Sequence, residues 1–253
     1  VSKREVIKEF ADRFGATFEL GLVALAFAIT LGIPIGVLAS LKRNSFLDYL
    51  LMGVSLVGYS MPIFWWGLIL ILIFSVQLGL TPVSGRISFM YDVDTVTGLM
   101  LIDSLLSEDG VEAFFSAVRS LILPAIAMGT IPLAVIARMT RSSMLEVLGE
   151  DYIRTAKAKG LKYSKVLFKH ALRNSLNPVV TAVSGWFASL LTGAVFVEYV
   201  FGWNGLGKEI VNALNTMDFP VVMGSVLFIS IVFIIINLLV DLIYIWLDPR
   251  IKT

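Results

Sequence analysis

The sequence is short of the residues that build soluble surfaces and metal or redox centres. It contains no cysteine and one histidine, His170. This composition excludes disulfides, thiolate metal ligands, cysteine nucleophiles and any multi-histidine metal cluster within the chain. Only 15% of its 253 residues are charged, whereas 57% are hydrophobic. A soluble domain of this length carries far more charge on its surface, so the sequence indicates a membrane protein.

Five segments without charged residues are long enough, or nearly so, to cross a bilayer as helices, which takes about 20 residues. The shortest of them is expected to continue as helix past Arg138. The predicted fold class is an all-α membrane protein, a polytopic bundle of transmembrane helices. The five predicted spans are Leu20–Leu41, Tyr49–Val76, Ser120–Ala137, Pro178–Val197 and Phe219–Val240.

The charges of the connecting segments predict the orientation. The connection Arg138–Arg173 holds nine basic and three acidic residues, whereas Gln77–Arg119 holds two basic and six acidic residues. Connections rich in lysine and arginine stay in the cytoplasm. The rule therefore places the basic connection and the C-terminus in the cytoplasm, and the acidic loop at residues 79–119 outside.

An odd number of spans then places the N-terminus outside, although residues 1–16 carry Lys3, Arg4, Lys8 and Arg13. We therefore expect a further transmembrane helix to precede residue 1. Residues 1–16 are predicted to form an external or interfacial amphipathic segment. The membrane domain proper is predicted to occupy residues 17–253.

The basic connection is predicted to form an elbow at residues 146–174. Helix-favouring residues fill positions 146–159, and Gly160 supplies the left-handed conformation that ends a helix. A second short helix is predicted at about 163–174, with Pro178 marking entry into the next span. From composition alone, a loop that binds anionic lipid headgroups fits this segment equally well.

The spacing around Gly160 resembles the EAA loop of binding-protein-dependent ABC importer permeases. Ala156 lies four residues before the glycine and Leu172 twelve residues after it. The family pattern is Glu-Ala-Ala, three residues, Gly, nine residues, Ile, one residue and Leu-Pro. The sequence departs from it at four positions: Arg154 stands for Glu, Thr155 for the first Ala, His170 for Ile and Arg173 for Pro.

These departures resemble the dipeptide, oligopeptide and nickel branch of the family, and most closely the first permease subunit of dipeptide importers. The similarity runs from about Phe18 to Arg250 through several motifs in the same order. They are RTAKAKGL (Arg154–Leu161), HALRN (His170–Asn174), SMPIFW (Ser60–Trp65), LTPVSGR (Leu80–Arg86), VEYVF (Val197–Phe201), GLG (Gly205–Gly207), FPVV (Phe219–Val222) and DPR (Asp248–Arg250).

The resemblance implies a type I ABC importer permease whose elbow at residues 146–174 is the coupling loop for a cytoplasmic ATPase. The implied partners are a second homologous permease, two ATPase subunits, an external solute-binding protein and membrane lipid, without nucleic acid. The chain would be a multi-pass protein of the bacterial cytoplasmic (inner) membrane and no enzyme. It would hold no cofactor, because ATP and magnesium bind to the partner ATPases. The implied coupling residues are Tyr152, Arg154, Thr155, Ala156, Ala158, Lys159, Gly160, Leu161 and His170.

Other signals are weaker. Gly202–Lys208 matches most of a phosphate-binding loop, but Glu209 stands where a Ser or Thr must reach magnesium, so a glycine-rich turn before a helix is favoured.

Trp65 and Glu198 are candidates for the substrate path, whereas Glu19 is interpreted as a hydrated carboxylate at a span end. Gly32 and Gly36 match a small-residue packing motif that arises readily in apolar sequence.

The predicted function is import of a small solute, with peptides favoured, by a complex that ATP drives. Within the same class, the alternative solute is a nickel complex or another small molecule. An alternative from another class is a secondary carrier driven by an ion gradient, which requires functional carboxylates inside the bundle. A scaffold without transport activity would need no elbow.

Overall fold

The computed structural model describes residues 6–247, and within this range all regular structure is helical. Two of the helices, α3 and α7, run on into wider π-helical turns, at Ile71–Gln77 and Val166–Leu172. Residues 6–247 form ten α-helices: α1 (Val6–Leu41), α2 (Phe46–Ser60), α3 (Ile63–Leu70), α4 (Met100–Leu106), α5 (Gly110–Gly149), α6 (Asp151–Ala158), α7 (Tyr163–Lys165), α8 (Arg173–Val200), α9 (Leu206–Asn215) and α10 (Phe219–Leu247).

Three helical segments in the described range are apolar and long enough to cross a membrane: Arg13–Leu41, Gly110–Gly149 and Phe219–Leu238. The pair α2 and α3, broken at Met61 and Pro62, makes a fourth if it is counted as one span. The all-α membrane class is confirmed, and α5 continues past Arg138 as expected. The fifth predicted span, Pro178–Val197, falls in α8 and stays a prediction.

Several element boundaries differ from the predicted ones. The last part of the predicted external loop, from Gly110, is already helix α5, because charged residues end an apolar run without ending a helix. The predicted helix at 146–159 is divided by extended backbone at Glu150. Pro178 lies inside α8 rather than at its start, since neighbouring groups can repair a single missing N–H in a membrane helix.

The beginning of the described chain is part of a longer element. Helix α1 runs without a break across the predicted boundary between residues 16 and 17. Phe10 is buried and stacks on Phe228 of α10, with ring centroids 5.7 Å apart. The interfacial location predicted for residues 1–16 stays a prediction, and its first five residues lie outside the described range.

The chain divides into two compact units. Unit 1 comprises Val1–Ala24, Pro62–Met128 and Phe187–Thr253, and unit 2 comprises Leu25–Met61 and Gly129–Trp186. An apolar cluster of unit 1 joins α1, α9 and α10; its buried members are Phe10, Leu206, Ala213 and Val221. In unit 2 a cluster around Ala28, Ile136 and Val179 joins α1, α5 and α8.

Glycine allows α1 and α5 to approach closely within unit 2. A Cβ atom at Gly32 would lie 2.9 Å from Cγ2 of Ile136. A Cβ atom at Gly36 would lie 2.5 Å from the carbonyl oxygen of Ala137 and 2.5 Å from Cβ of Thr140. The small-residue motif, a weak signal in the sequence, here coincides with a close contact between helices. It serves to bring two helix backbones together.

Replacing Gly36 with alanine should destabilise the protein. The added methyl group meets backbone of α5 rather than a movable side chain, so we expect a loss of about 1–3 kcal/mol. Gly53→Ala is the matched control, because a Cβ atom there has nothing within 4 Å. The control should be neutral or stabilising by up to about 1 kcal/mol. Thermal denaturation of the purified protein measures both, and equal midpoints would contradict the close approach.

Candidate functional site

Helix α6 ends in a turn that its own sequence specifies. Gly160 has a φ of +74°, in the left-handed region. Its N–H donates to the carbonyl of Lys157 (3.0 Å), and the N–H of Leu161 donates to the carbonyl of Ala156 (3.4 Å). These two bonds form a Schellman motif, which ends the helix while satisfying carbonyls that would otherwise lack partners. The glycine is needed for its backbone conformation, since a Cβ atom there would meet nothing within 4 Å.

An apolar base lies beneath this turn. Ile153 and Ala156 point inward from α6 and are buried. They pack with Val37 of α1 and Met144 of α5, and with residues of the segment that follows the turn, namely Val166, Leu167 and Ala171. We call this group the loop base. Because all of its members belong to unit 2, α6 is held on the same unit as the close contact of α1 with α5.

The structure divides the predicted coupling residues into two groups. Ala156 belongs to the loop base, and Leu161 and His170 are half-buried. The remaining members form an exposed face around the turn: Tyr152, Arg154, Thr155, Ala158, Lys159 and Gly160. Sequence reasoning missed Asn174 as a member of the site, although the HALRN motif contains it. Its Nδ2 donates to the hydroxyl of Tyr152 (2.8 Å) and ties α6 to the start of α8.

Glu198, a candidate for the substrate path, has no exposed surface in the structure. Its carboxylate accepts hydrogen bonds from the Thr17 hydroxyl (2.6 Å) and from the N–H of Lys208 (3.1 Å). The Thr17 hydroxyl also accepts from the N–H of Leu206 (2.9 Å). Glu198 and Thr17 thus cap the N-terminus of α9, where free N–H groups favour a negative charge.

The glycines of the GLG motif make room for this cap. A Cβ atom at Gly205 would collide with the carboxylate of Glu198, and one at Gly207 would lie 2.5 Å from Cα of Val195. The Lys208 ammonium donates to the carbonyl of Gly202 and to the side chain of Asn204. A protein carboxylate therefore occupies the place that a phosphate would take, which explains why the resemblance to a phosphate-binding loop is misleading.

A second buried carboxylate, Glu19, differs from its interpretation as a hydrated group. It is 4% exposed and accepts from Nη2 of Arg86 at 2.8 Å. The N–H groups of Met100 and Leu101, at the start of α4, also donate to it (3.1 and 2.7 Å). Glu19 thus fixes the acidic loop to α1 within unit 1. Glu19 can be buried rather than hydrated because the acidic loop supplies the partners that a buried carboxylate needs.

Trp65, the other candidate for the substrate path, is exposed at 44% on α3. Its neighbour Phe64 packs against Phe196 of α8, with ring centroids 6.4 Å apart. The exposure of Trp65 fits a surface in contact with lipid, with a partner chain or with a path. Its assignment therefore stays a prediction.

Solved structures with the same fold come from ABC transporters. The chain matches the inward-facing MetNI methionine ABC transporter with a TM-score of 0.68 at 17% identity, covering 95% of this chain and 97% of that chain. It matches a crystal structure of an amino acid ABC transporter with histidines with a TM-score of 0.65 at 12% identity, covering 94% and 93%. The fold is therefore that of a type I ABC importer permease, as predicted.

Sequence comparison then shows the family. Residues 32–253 match the profile of the binding-protein-dependent transport system inner membrane component, and the chain belongs to this family. It is 55% identical to the di/tripeptide transport system permease protein DppB of Pseudomonas aeruginosa, over 99% of this chain and 74% of that protein. It is 54% identical to the dipeptide transport system permease protein DppB of Escherichia coli K12, over 99% and 75%. The resemblance stated from the motifs is confirmed.

Replacing Glu198 with glutamine separates a cap from a path residue. If the carboxylate caps α9, the variant loses a charged acceptor in a buried site, and stability falls by about 1–3 kcal/mol. Thr17→Val should lower stability similarly, because it removes the bridging hydroxyl. Thermal denaturation and the KM for solute uptake are measured together. An altered KM with an unchanged midpoint would instead place Glu198 on the path.

Proposed function

We propose that this chain is one of two permease subunits of an ATP-driven importer for dipeptides and short oligopeptides. Two cytoplasmic ATPase subunits bind ATP and magnesium and hydrolyse the nucleotide, and an external solute-binding protein delivers the peptide. The C-terminus and the elbow at residues 146–174 face the cytoplasm. Family membership and the names of the relatives support the class of importer and the peptide substrate. The distribution of basic residues supports the orientation.

The observation that carries the coupling role is the exposed face around Gly160 on a buried apolar base. A loop that only attracts lipid headgroups needs positive charge but neither a Schellman turn nor an inward-facing Ile153. A docking element needs both, since only a rigid element can transmit a displacement of the ATPase to the membrane helices. Through the loop base, a displacement of the loop would reach α1 at Val37 and α5 at Met144.

The proposed mechanism is mechanical. When ATP closes the two ATPase subunits, their docking clefts carry the coupling loops with them. The membrane helices attached to those loops then change between two arrangements. ATP shifts the equilibrium only because it binds better to one arrangement than to the other. This chain supplies no chemical group to hydrolysis.

The alternative of an ion-gradient-driven carrier finds little support in the buried carboxylates. Such a carrier needs carboxylates that gain and lose ions during transport. Four carboxylates are buried among the described residues. Glu19 pairs with Arg86, Asp48 pairs with Arg141, and Glu198 caps α9. Asp103 accepts from the N–H groups of Thr97 and Gly98 in the acidic loop. Each of these groups is already used to hold helix ends or loops.

Peptide uptake driven by ATP tests the proposal. The complete complex in proteoliposomes, supplied with its solute-binding protein, should accumulate a labelled dipeptide only when the ATPase sites have ATP. An ionophore that abolishes ion gradients should leave the rate unchanged. A labelled nickel complex serves as the comparison solute. Uptake from an imposed gradient without ATP, or accumulation of nickel in place of dipeptide, would contradict the proposal.

Replacing Gly160 with valine should uncouple hydrolysis from uptake. A left-handed β-branched residue is strained by about 1–2 kcal/mol, so the turn that presents the docking face should shift. We expect peptide imported per ATP hydrolysed to fall by about tenfold or more, within the range of coupling energies in proteins.

The matched control is Gly79→Val in the 79–119 loop. Gly79 has a φ of +62° and nothing within 4 Å of an added Cβ atom, so the backbone strain is comparable. The control should keep the ratio of uptake to hydrolysis. Equal ratios in wild type and Gly160→Val would refute the coupling role.

A further inference from the structure

An ion pair in unit 2 lies outside the predicted coupling residues. Nε and Nη2 of Arg141 donate to Oδ1 and Oδ2 of Asp48, each at 2.6 Å. The Asp48 side chain is only 2% exposed, and that of Arg141 is 26% exposed. The pair joins the first turn of α2 to the C-terminal part of α5, across 93 residues of sequence. Two parallel hydrogen bonds of this kind fix orientation as well as distance.

The same carboxylate also organises the connection between α1 and α2. Oδ2 of Asp48 accepts from the N–H of Asn44 (3.0 Å), whose φ is +60°. The N–H of Asp48 donates to the hydroxyl of Ser45, which is the N-cap of α2. Asp48 therefore holds the turn that leaves α1, the first turn of α2 and, through Arg141, helix α5.

Three contacts follow one another along α5 in unit 2. Gly36 of α1 packs on Ala137 and Thr140, Asp48 of α2 pairs with Arg141, and Met144 belongs to the loop base. The contact of α2 thus lies between the closest approach of α1 and the attachment of α6. The face of α2 around Gly53 is open, with nothing within 4 Å of an added Cβ atom, whereas the end of α2 meets α5 again, at Gly58 beside Thr130 and at Tyr59 beneath Arg138. The ion pair is thus the contact that holds the first turn of α2.

We propose that Asp48 and Arg141 are positioning residues that make α2 move with α5 when the coupling loop is displaced. A buried ion pair contributes little net stability compared with apolar packing, but it fixes geometry as long as both partners are present. Without the pair, α5 and the loop base still follow the ATPase, whereas the first half of α2, which the contacts at Gly58 and Tyr59 do not reach, lags. This inference rests on the proposed function of the loop.

The first test measures peptide imported per ATP hydrolysed in the complete complex. Arg141→Gln should lower this ratio by about fivefold, within the range found for substitutions that alter coupling, while hydrolysis continues. Arg141→Lys should behave like Arg141→Gln, because an ammonium group cannot form the two-pronged contact. Lys42→Gln is the control: it removes one positive charge from an exposed site in the α1–α2 connection and should leave the ratio unchanged.

The double variant Asp48→Asn with Arg141→Gln guards against misfolding, since it leaves no unpaired buried charge. It should fold and show the same low ratio as Arg141→Gln alone. A ratio in the double variant equal to that of the wild type would overturn the proposal. So would a full ratio in Arg141→Lys.

The second test follows the helices directly. Because the chain has no cysteine, spin labels can be attached at cysteines replacing Val54 on α2 and Glu146 on α5, with partner cysteines replaced by serine. In the wild type, the distance between the two labels should be the same without nucleotide and in an ATP-trapped complex. In Arg141→Gln this distance should differ between the two states. A distance that changes between the states in the wild type as well would overturn the proposal.

The two proposals fail separately. If Gly160→Val uncouples the transporter but Arg141→Gln does not, the coupling loop stands and the positioning role is wrong. If neither variant changes the ratio, the proposed function of the loop fails first, and the inference fails with it.

Discussion

A charge that is buried away from water must find a partner, and this constraint places the helix ends in both units. In unit 1, Glu19 pairs with Arg86 and accepts from two N–H groups of the acidic loop, and Glu198 caps the N-terminus of α9. In unit 2, Asp48 pairs with Arg141. Each carboxylate joins segments distant in sequence, so satisfying the charge also fixes loops and helix starts that apolar packing alone leaves free to slide.

Glycine has two different roles in this chain, and the difference separates surface function from packing. Gly160 has positive φ and an empty surrounding, so it shapes a turn that other molecules can reach. Gly36, Gly205 and Gly207 lie where a methyl group would meet backbone or a buried carboxylate. These three glycines let backbone segments of this chain approach closely, and another molecule cannot reach them. All four glycines lie in short sequence motifs, so the packing around each one is needed to distinguish the two roles.

The sequence predicts features that depend on local composition. Long apolar runs predict the helical class, and the glycine at position 160 predicts the end of α6. Helix boundaries inside charged segments were predicted poorly. Helix α5 already begins at Gly110, because a helix of a membrane protein can carry charge on its exposed face. The predicted helix at 146–159 is interrupted at Glu150. The ion pairs of Glu19 and Asp48 could not be predicted, since their partners are 67 and 93 residues away in sequence. The available signal was an isolated carboxylate near the end of an apolar run.

The coupling loop shows how these two kinds of information combine. Its turn is a local motif, so a resemblance in eight residues is enough to find it. Its base is assembled from α1, α5 and the segment after the turn, and nothing in the motif specifies those contacts. What moves with the loop is therefore decided by Val37, Met144 and the contacts further along α5. Two permeases with the same loop motif could pass the same displacement to different helices if the residues facing α5 differed.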